Sequence, residues 1–225
     1  MRKTFRILAT STLLLAVTGI AASFSEQGVA AAPVPMQTTL QLAPFNSIQV
    51  RDGGHVVLRP APAQRVTLIR GSLDYTRLAI ADGGMLVVDR CIRKCPRGYE
   101  LEVEVSAPSF GRISLANGGR VQSRSGFPRQ GELALAVSNG GMIDVRSMVA
   151  DRVTASVNQG GGILTVPRTL LFARVTQGGM ITYWGDAQVR SSVGHGGAVN
   201  KGSASQIDAP LSEVVSSHPS LTKHR

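Results

Sequence analysis

Three carboxylates stand on alternate positions in Tyr99-Glu100-Leu101-Glu102-Val103-Glu104-Val105. Alternate residues of a strand share a face, so this row lines up along one side of it. Three aligned carboxylates can hold a cation or serve acid–base chemistry. A charged row of this kind is also the solvated face of an ordinary strand. That is the expected reading here, with the basic stretch Arg90 to Arg97 as a source of counter-charge. The chain has two cysteines, Cys91 and Cys95, three residues apart. Redox pairs commonly have two intervening residues, and zinc needs ligands that are missing nearby. A structural disulfide is expected instead.

The remaining candidates are fewer. From Ile113 to Gly202 the acids are Glu132, Asp144, Asp151 and Asp186, and their spacing pairs none of them. The Gly-Gly-x-Gly-x-Asp signature of calcium-binding solenoids is absent. His195 stands alone where related positions carry amides, which reads as a structural replacement rather than a base or ligand. No catalytic residue, metal ligand or cofactor-binding residue is therefore assigned, and no cofactor is expected. Arginines recur throughout this region. Arg112, Arg120, Arg146, Arg174 and Arg190 are the candidates for binding a polyanion, with Arg124, Arg129, Arg152 and Arg168 as further members of the series.

The elements that would position these residues are set by a repeat. Five segments share the order aliphatic, small or polar, amide or imidazole, Gly-Gly, any residue, aliphatic. Their glycines are Gly118-Gly119, Gly140-Gly141, Gly160-Gly161, Gly178-Gly179 and Gly196-Gly197, at steps of 22, 20, 18 and 18 residues. Two looser copies lie at Asp52-Gly53-Gly54 and Asp82-Gly83-Gly84. A unit this short cannot bury an apolar face by itself, so the units must stack. The period fits one coil of a β-solenoid, about three strands of four to five residues with corners between them. Gly-Gly supplies a corner where positive φ or close backbone approach is needed. The Asp, Asn, Gln or His before it can stack as a polar ladder. A series of antiparallel hairpins is the alternative, because Asn-Gly and Asp-Gly are also hairpin-turn signals. The regular period and the Gln and His copies favour stacked coils, about eight of them.

Residues 1–22 have the basic start, short apolar run and small residues of a signal peptide, with cleavage placed between residues 22 and 32. The apolar run is too short for a membrane span. A flexible leader is expected over 23–36, a single β domain over 37–202 and a disordered tail over 203–225. The net charge is +10. Removal of Arg2, Lys3 and Arg6 turns 24 basic residues into 21 against 14 acidic, or +7. Such a chain, exported to the periplasm or cell surface, is expected to meet anionic polysaccharide, lipopolysaccharide or envelope protein, the alternative being that the charge serves only solubility. No nucleic-acid motif is present, and nucleic acid is not an expected partner.

These residues resemble the auto-transporter adhesin head (GIN) domain family. The likeness rests on Phe45-Asn46-Ser47-Ile48-Gln49-Val50 with Asp52-Gly53-Gly54-His55-Val56. It continues through Leu86-Val87-Val88, Ala107-Pro108-Ser109-Phe110, the serial Gly-Gly corners and Ile181-Thr182-Tyr183-Trp184-Gly185-Asp186. It covers about residues 38 to 202. The resemblance implies a single-stranded, right-handed parallel β-helix in an exported bacterial protein. The expected function is a non-enzymatic, adhesin-like binding role in the cell envelope. An assembly scaffold is the alternative, and a polysaccharide-active enzyme the least expected.

Overall fold

The computed structural model describes residues 37–210, all within one compact unit, Pro35–Arg225. The expected signal peptide, leader and last part of the tail lie outside the described residues. Thirteen strands form one mixed sheet. They are β1 (Thr38–Leu40), β2 (Ser47–Arg51), β3 (His55–Pro60), β4 (Arg65–Arg70), β5 (Arg77–Ala81) and β6 (Met85–Asp89). There follow β7 (Glu102–Ala107), β8 (Arg112–Ala116), β9 (Arg120–Ser123), β10 (Gln130–Ser138), β11 (Met142–Asn158), β12 (Gly162–Tyr183) and β13 (Gln188–Lys201). A 3-10 turn spans Ala204–Gln206.

The pairing of the repeats is parallel, and its register is the sequence period. Arg112 pairs with Ala134, Ala134 with Thr154, Thr154 with Phe172 and Phe172 with Arg190. These steps of 22, 20, 18 and 18 residues are those of the Gly-Gly motif. Register is fixed this strongly because a one-residue slip would turn every inward side chain outward. The inward residues form aliphatic columns. Leu86, Ile48, Ile113, Leu135, Ala155 and Ala173 make one, and Val88, Val50, Leu115, Val137, Val157 and Val175 the next. Across the corner, Val103, Val56, Val121, Ile143 and Ile163 make a third. All are buried.

Four of the corners share one backbone conformation. Asp52, Asn117, Asn139 and Gln159 have φ near +60°, and the glycines after them are also left-handed. Asn117 donates to Asp52 Oδ1 at 2.8 Å, and Asn139 donates to Asn117 Oδ1 at 2.9 Å. A polar ladder thus links three successive corners.

Two expectations are corrected. The sheet is not uniformly parallel: β1 with β4, β4 with β7, and β5 with β6 are antiparallel. Asp82-Gly83-Gly84 is accordingly not a corner of the repeat but the turn of the β5–β6 hairpin. Where β6 would have its corner, the chain instead runs from Arg90 to Leu101, through the Cys91–Cys95 disulfide with its Cα–Cα distance of 5.8 Å. Arg90 N donates to Arg51 O, and His55 N to Leu101 O, so this insert begins and ends at the corner of its neighbour. Segment order also departs from chain order. The first segment, β2 and β3, lies between β6–β7 on one side and β8–β9 on the other.

Candidate binding face

Beyond a column of Glu132, Arg152, Leu170 and Gln188, the outward residues on this face of β8 and β10–β13 lie in three more columns. Arg112, Ala134, Thr154, Phe172 and Arg190 form the first, and Ser114, Ala136, Ser156, Arg174 and Ser192 the second. Ala116, Ser138 and Asn158 form the third. No acid occurs in these three, and Glu132 beside them is paired with Arg152. The residues are small and flat apart from three arginines and one phenylalanine. Phe172 is 40% exposed, and the Arg190 guanidinium carbon lies 5.7 Å from its ring centre. Arg174 projects from the same face of the same strand, two residues on from Phe172. Neighbouring strands lie about 4.8 Å apart, so Arg112, four strands from Arg190 in the same column, sits roughly 19 Å away.

Arg112, Arg174 and Arg190 thus share one face. Arg120 begins β9 beyond the corner, paired in register with His55 and Met142. Arg146 is placed differently again. Its side chain is buried and bound to Asp144 at 2.7 Å, donates to the carbonyls of Gln206, Ile207 and Ala209, and lies over the Trp184 ring. It holds the chain's own C-terminal segment. Of the wider series, Arg129 pairs with Asp151 and Arg152 with Glu132. Among the described residues none of Arg112, Arg120, Arg174 and Arg190 is paired with a carboxylate. Phe172 was missed in the sequence. Its signal was the alternation in Leu171-Phe172-Ala173-Arg174-Val175, where Phe172 takes an outward place beside Arg174.

The Glu100, Glu102 and Glu104 row is engaged one residue at a time. Glu100 pairs with Arg70 at 2.5 Å, Glu102 faces His55 Nδ1 at 3.9 Å, and Glu104 pairs with Arg59. The counter-charges come from β3 and β4, not from the Arg90–Arg97 loop. Burial holds the His55 pKa below its ordinary value, with Arg120 and Arg124 adding to this and Glu102 opposing it. No group of three or more His, Cys, Asp or Glu is placed to hold a metal among the described residues. Glu132 and Asp151 line one shallow cleft with Arg129 and Arg152. Asp144 is tied to Arg146, and Asp186 to Lys201 at 2.7 Å. His195 is exposed on β13, in register with Gln177.

These features define an all-β molecule built on one mixed sheet, with a group of unpaired arginines on one outward face. Residues 44–163 match the model of the family described as "Putative auto-transporter adhesin, head GIN domain". The chain belongs to that family. Among solved structures, it is similar to a putative adhesin from Bacteroides fragilis at 16% identity and TM-score 0.42, covering 74% of this chain and 96% of that one. A putative lipid binding protein from Parabacteroides distasonis is 13% identical with TM-score 0.30, covering 74% and 96%. A putative cell adhesion protein from Clostridium sporogenes is 10% identical with TM-score 0.32, covering 74% and 98%. No curated protein matches the sequence. No helix among the described residues is long and apolar enough to cross a membrane.

Proposed function

We propose that this is an exported, non-enzymatic, adhesin-like envelope protein, wound as a right-handed parallel β-helix, whose flat arginine face binds an anionic surface glycan. The observation that carries the reading is the grouping of Arg174, Arg190 and exposed Phe172 on one outward face, with neither arginine paired to a carboxylate among the described residues. An arginine fork matches a carboxylate, sulfate or phosphate group, and an aromatic face supports an apolar sugar face beside it. Rows of Ser, Thr and Asn at a constant strand spacing suit a polymer with a constant repeat. The winding is supported by the sequence-order parallel registers and by the general hand of parallel crossovers. Family membership supports the adhesive role.

Against catalysis stands the pairing of the acids. Glu132 and Asp151 line the same cleft, but each is paired with an arginine rather than with the other. The test is binding of the mature protein to lipopolysaccharide and to acidic and neutral polysaccharides, at low and high salt. Selective, saturable binding to one anionic polymer is expected, weakened at least about tenfold in Arg174→Gln/Arg190→Gln. Indiscriminate binding to every polyanion, or binding unmoved by the double substitution, would sink the reading.

A further inference from the structure

The two ends of the sheet are finished differently. At one end the outermost strands are antiparallel and short: β1 has three residues and β5 has five. Short edge strands are a recognised way of preventing further pairing. At the other end β13 has 14 residues and, among the described residues, pairs only with β12. Residues 191–200 contain no Lys, Arg, Asp, Glu or Pro, the residues that usually blunt an edge. The inward column is also bare here. Val193 is 47% exposed and Ser191 is exposed, whereas Val175 and Ala173, their partners on β12, are buried.

The chain that follows leads away from this edge. Gly202 N donates to Tyr183 O, and Trp184 Nε1 donates to Ser203 O, both at 2.8 Å. Ile207 and Ala209 then pack on Leu164 and Trp184. Pro210 reaches a cavity lined by Gln122 and Ser123 of β9. Within eight residues the chain has passed from the level of β13 to that of β9, so that none of the described residues covers the β13 edge.

We propose that the β13 edge is the pairing surface for a second copy of this chain, joined strand to strand and antiparallel about a two-fold axis. A two-fold contact uses the same patch on both copies, so the patch must tolerate itself. An alignment centred on Ser192 sets Arg190 opposite Gly194 of the second copy, and brings no like charges face to face. The short antiparallel strands at the far end oppose head-to-tail stacking, so association closes at two. The residues that this alignment pairs, 188–196, span about 30 Å. With a width of about 10 Å they bury roughly 600 Å² over both copies, which belongs to the weak class of interfaces. The dimer therefore forms in the micromolar range. It sets two arginine faces side by side, which raises avidity for a repetitive polymer if the proposed binding role holds.

The test is independent of any ligand. Mature protein is studied by sedimentation velocity and by amide hydrogen exchange at about 1 and about 100 µM, a range that brackets a weak interface. A monomer is expected at the lower concentration and a dimer at the higher, with exchange in residues 188–196 slowed only in the dimer. Val193→Lys should weaken dimerisation at least about tenfold while preserving circular dichroism and Tm. Ser191→Lys, at an already exposed position, serves the same purpose should Val193→Lys fail to fold. A monomer at both concentrations would overturn the proposal. So would slow exchange of 188–196 that is independent of concentration, since the cover would then lie within one chain. A dimer indifferent to both substitutions would place the interface elsewhere and overturn it too.

Discussion

A methyl group added at Gly140 meets nothing within 4 Å, whereas one added at Gly141 comes within 2.7 Å of Leu115 Cδ2 and 3.1 Å of the Gly118 carbonyl carbon. Both residues have left-handed φ, +85° and +97°. The first glycine therefore answers only to backbone conformation, and the second also to the approach of the neighbouring corner. Gly140→Ala should cost about 1–2 kcal/mol, the ordinary penalty of a left-handed residue with a Cβ. Gly141→Ala adds a clash with the Leu115 side chain and a tight approach to the Gly118-Gly119 backbone, and should cost about 3 kcal/mol. Urea denaturation of the two variants checks this, and equal losses would refute the division of roles. The residue before the pair shows why the corner was legible. Asn and Asp tolerate left-handed φ, and the same short side chains reach the next corner to make the Asp52–Asn117–Asn139 ladder. The separation of the five arginines was not legible. Alternation tells inward from outward on one strand, but it does not say that Arg120 lies past a corner or that Arg146 will be covered by a later segment.

The most unexpected element is the segment after β13. Read as a polar tail without periodicity from residue 203, it is instead folded through Pro210, with a 3-10 turn and an apolar contact. Little in the residues signals this, because the contact is made by two isolated anchors, Ile207 and Ala209, among polar neighbours. What they cover explains the burial of outward residues on β11 and β12. Asp144, Leu164 and Thr182 occupy outward places yet are buried. Trp184, 3% exposed, is the centre of this clasp rather than a lid on the last repeat. Trp184→Ala should remove both the packing and the indole hydrogen bond to Ser203, costing about 3–5 kcal/mol. Amides of 203–209 should then exchange as fast as an open chain, while β10 and β11 keep their protection. If those amides remained protected, the clasp would have to be held by Arg146 alone. The hairpin at Asp82-Gly83-Gly84 is the opposite case, a turn signal whose two meanings could not be told apart locally. Asp-Gly serves a parallel corner and an antiparallel turn equally well, and only the partner of the following strand decides between them.

At the scale of the whole molecule, each repeat touches mainly the repeats beside it, so stability is close to a sum of local and nearest-neighbour contributions. Such a molecule opens from its ends. One end is the bare β13 edge, and the other is built differently, from antiparallel strands and the Arg90–Leu101 insert. Tyr75 and Tyr99 meet there edge to face at 5.5 Å, with Arg90 over Tyr99 and Arg93 over Tyr75. Tyr99 also accepts from Ser72 N at 2.8 Å, tying the insert to the turn before β5. The Cys91–Cys95 bridge closes the smallest loop within this cluster, and a loop of about five residues contributes roughly 2 kcal/mol through the unfolded chain. Because β6 and β7 pair with β2 and β3, and the repeats stack on the far side of that segment, the effect of reduction should stay local. Reduced protein is expected to lose exchange protection first in residues 90–101, β6 and β7, with β10 to β12 unchanged until higher denaturant. A uniform loss along all strands would show instead that the insert nucleates the entire sheet, and the near-independence of the repeats would have to be abandoned.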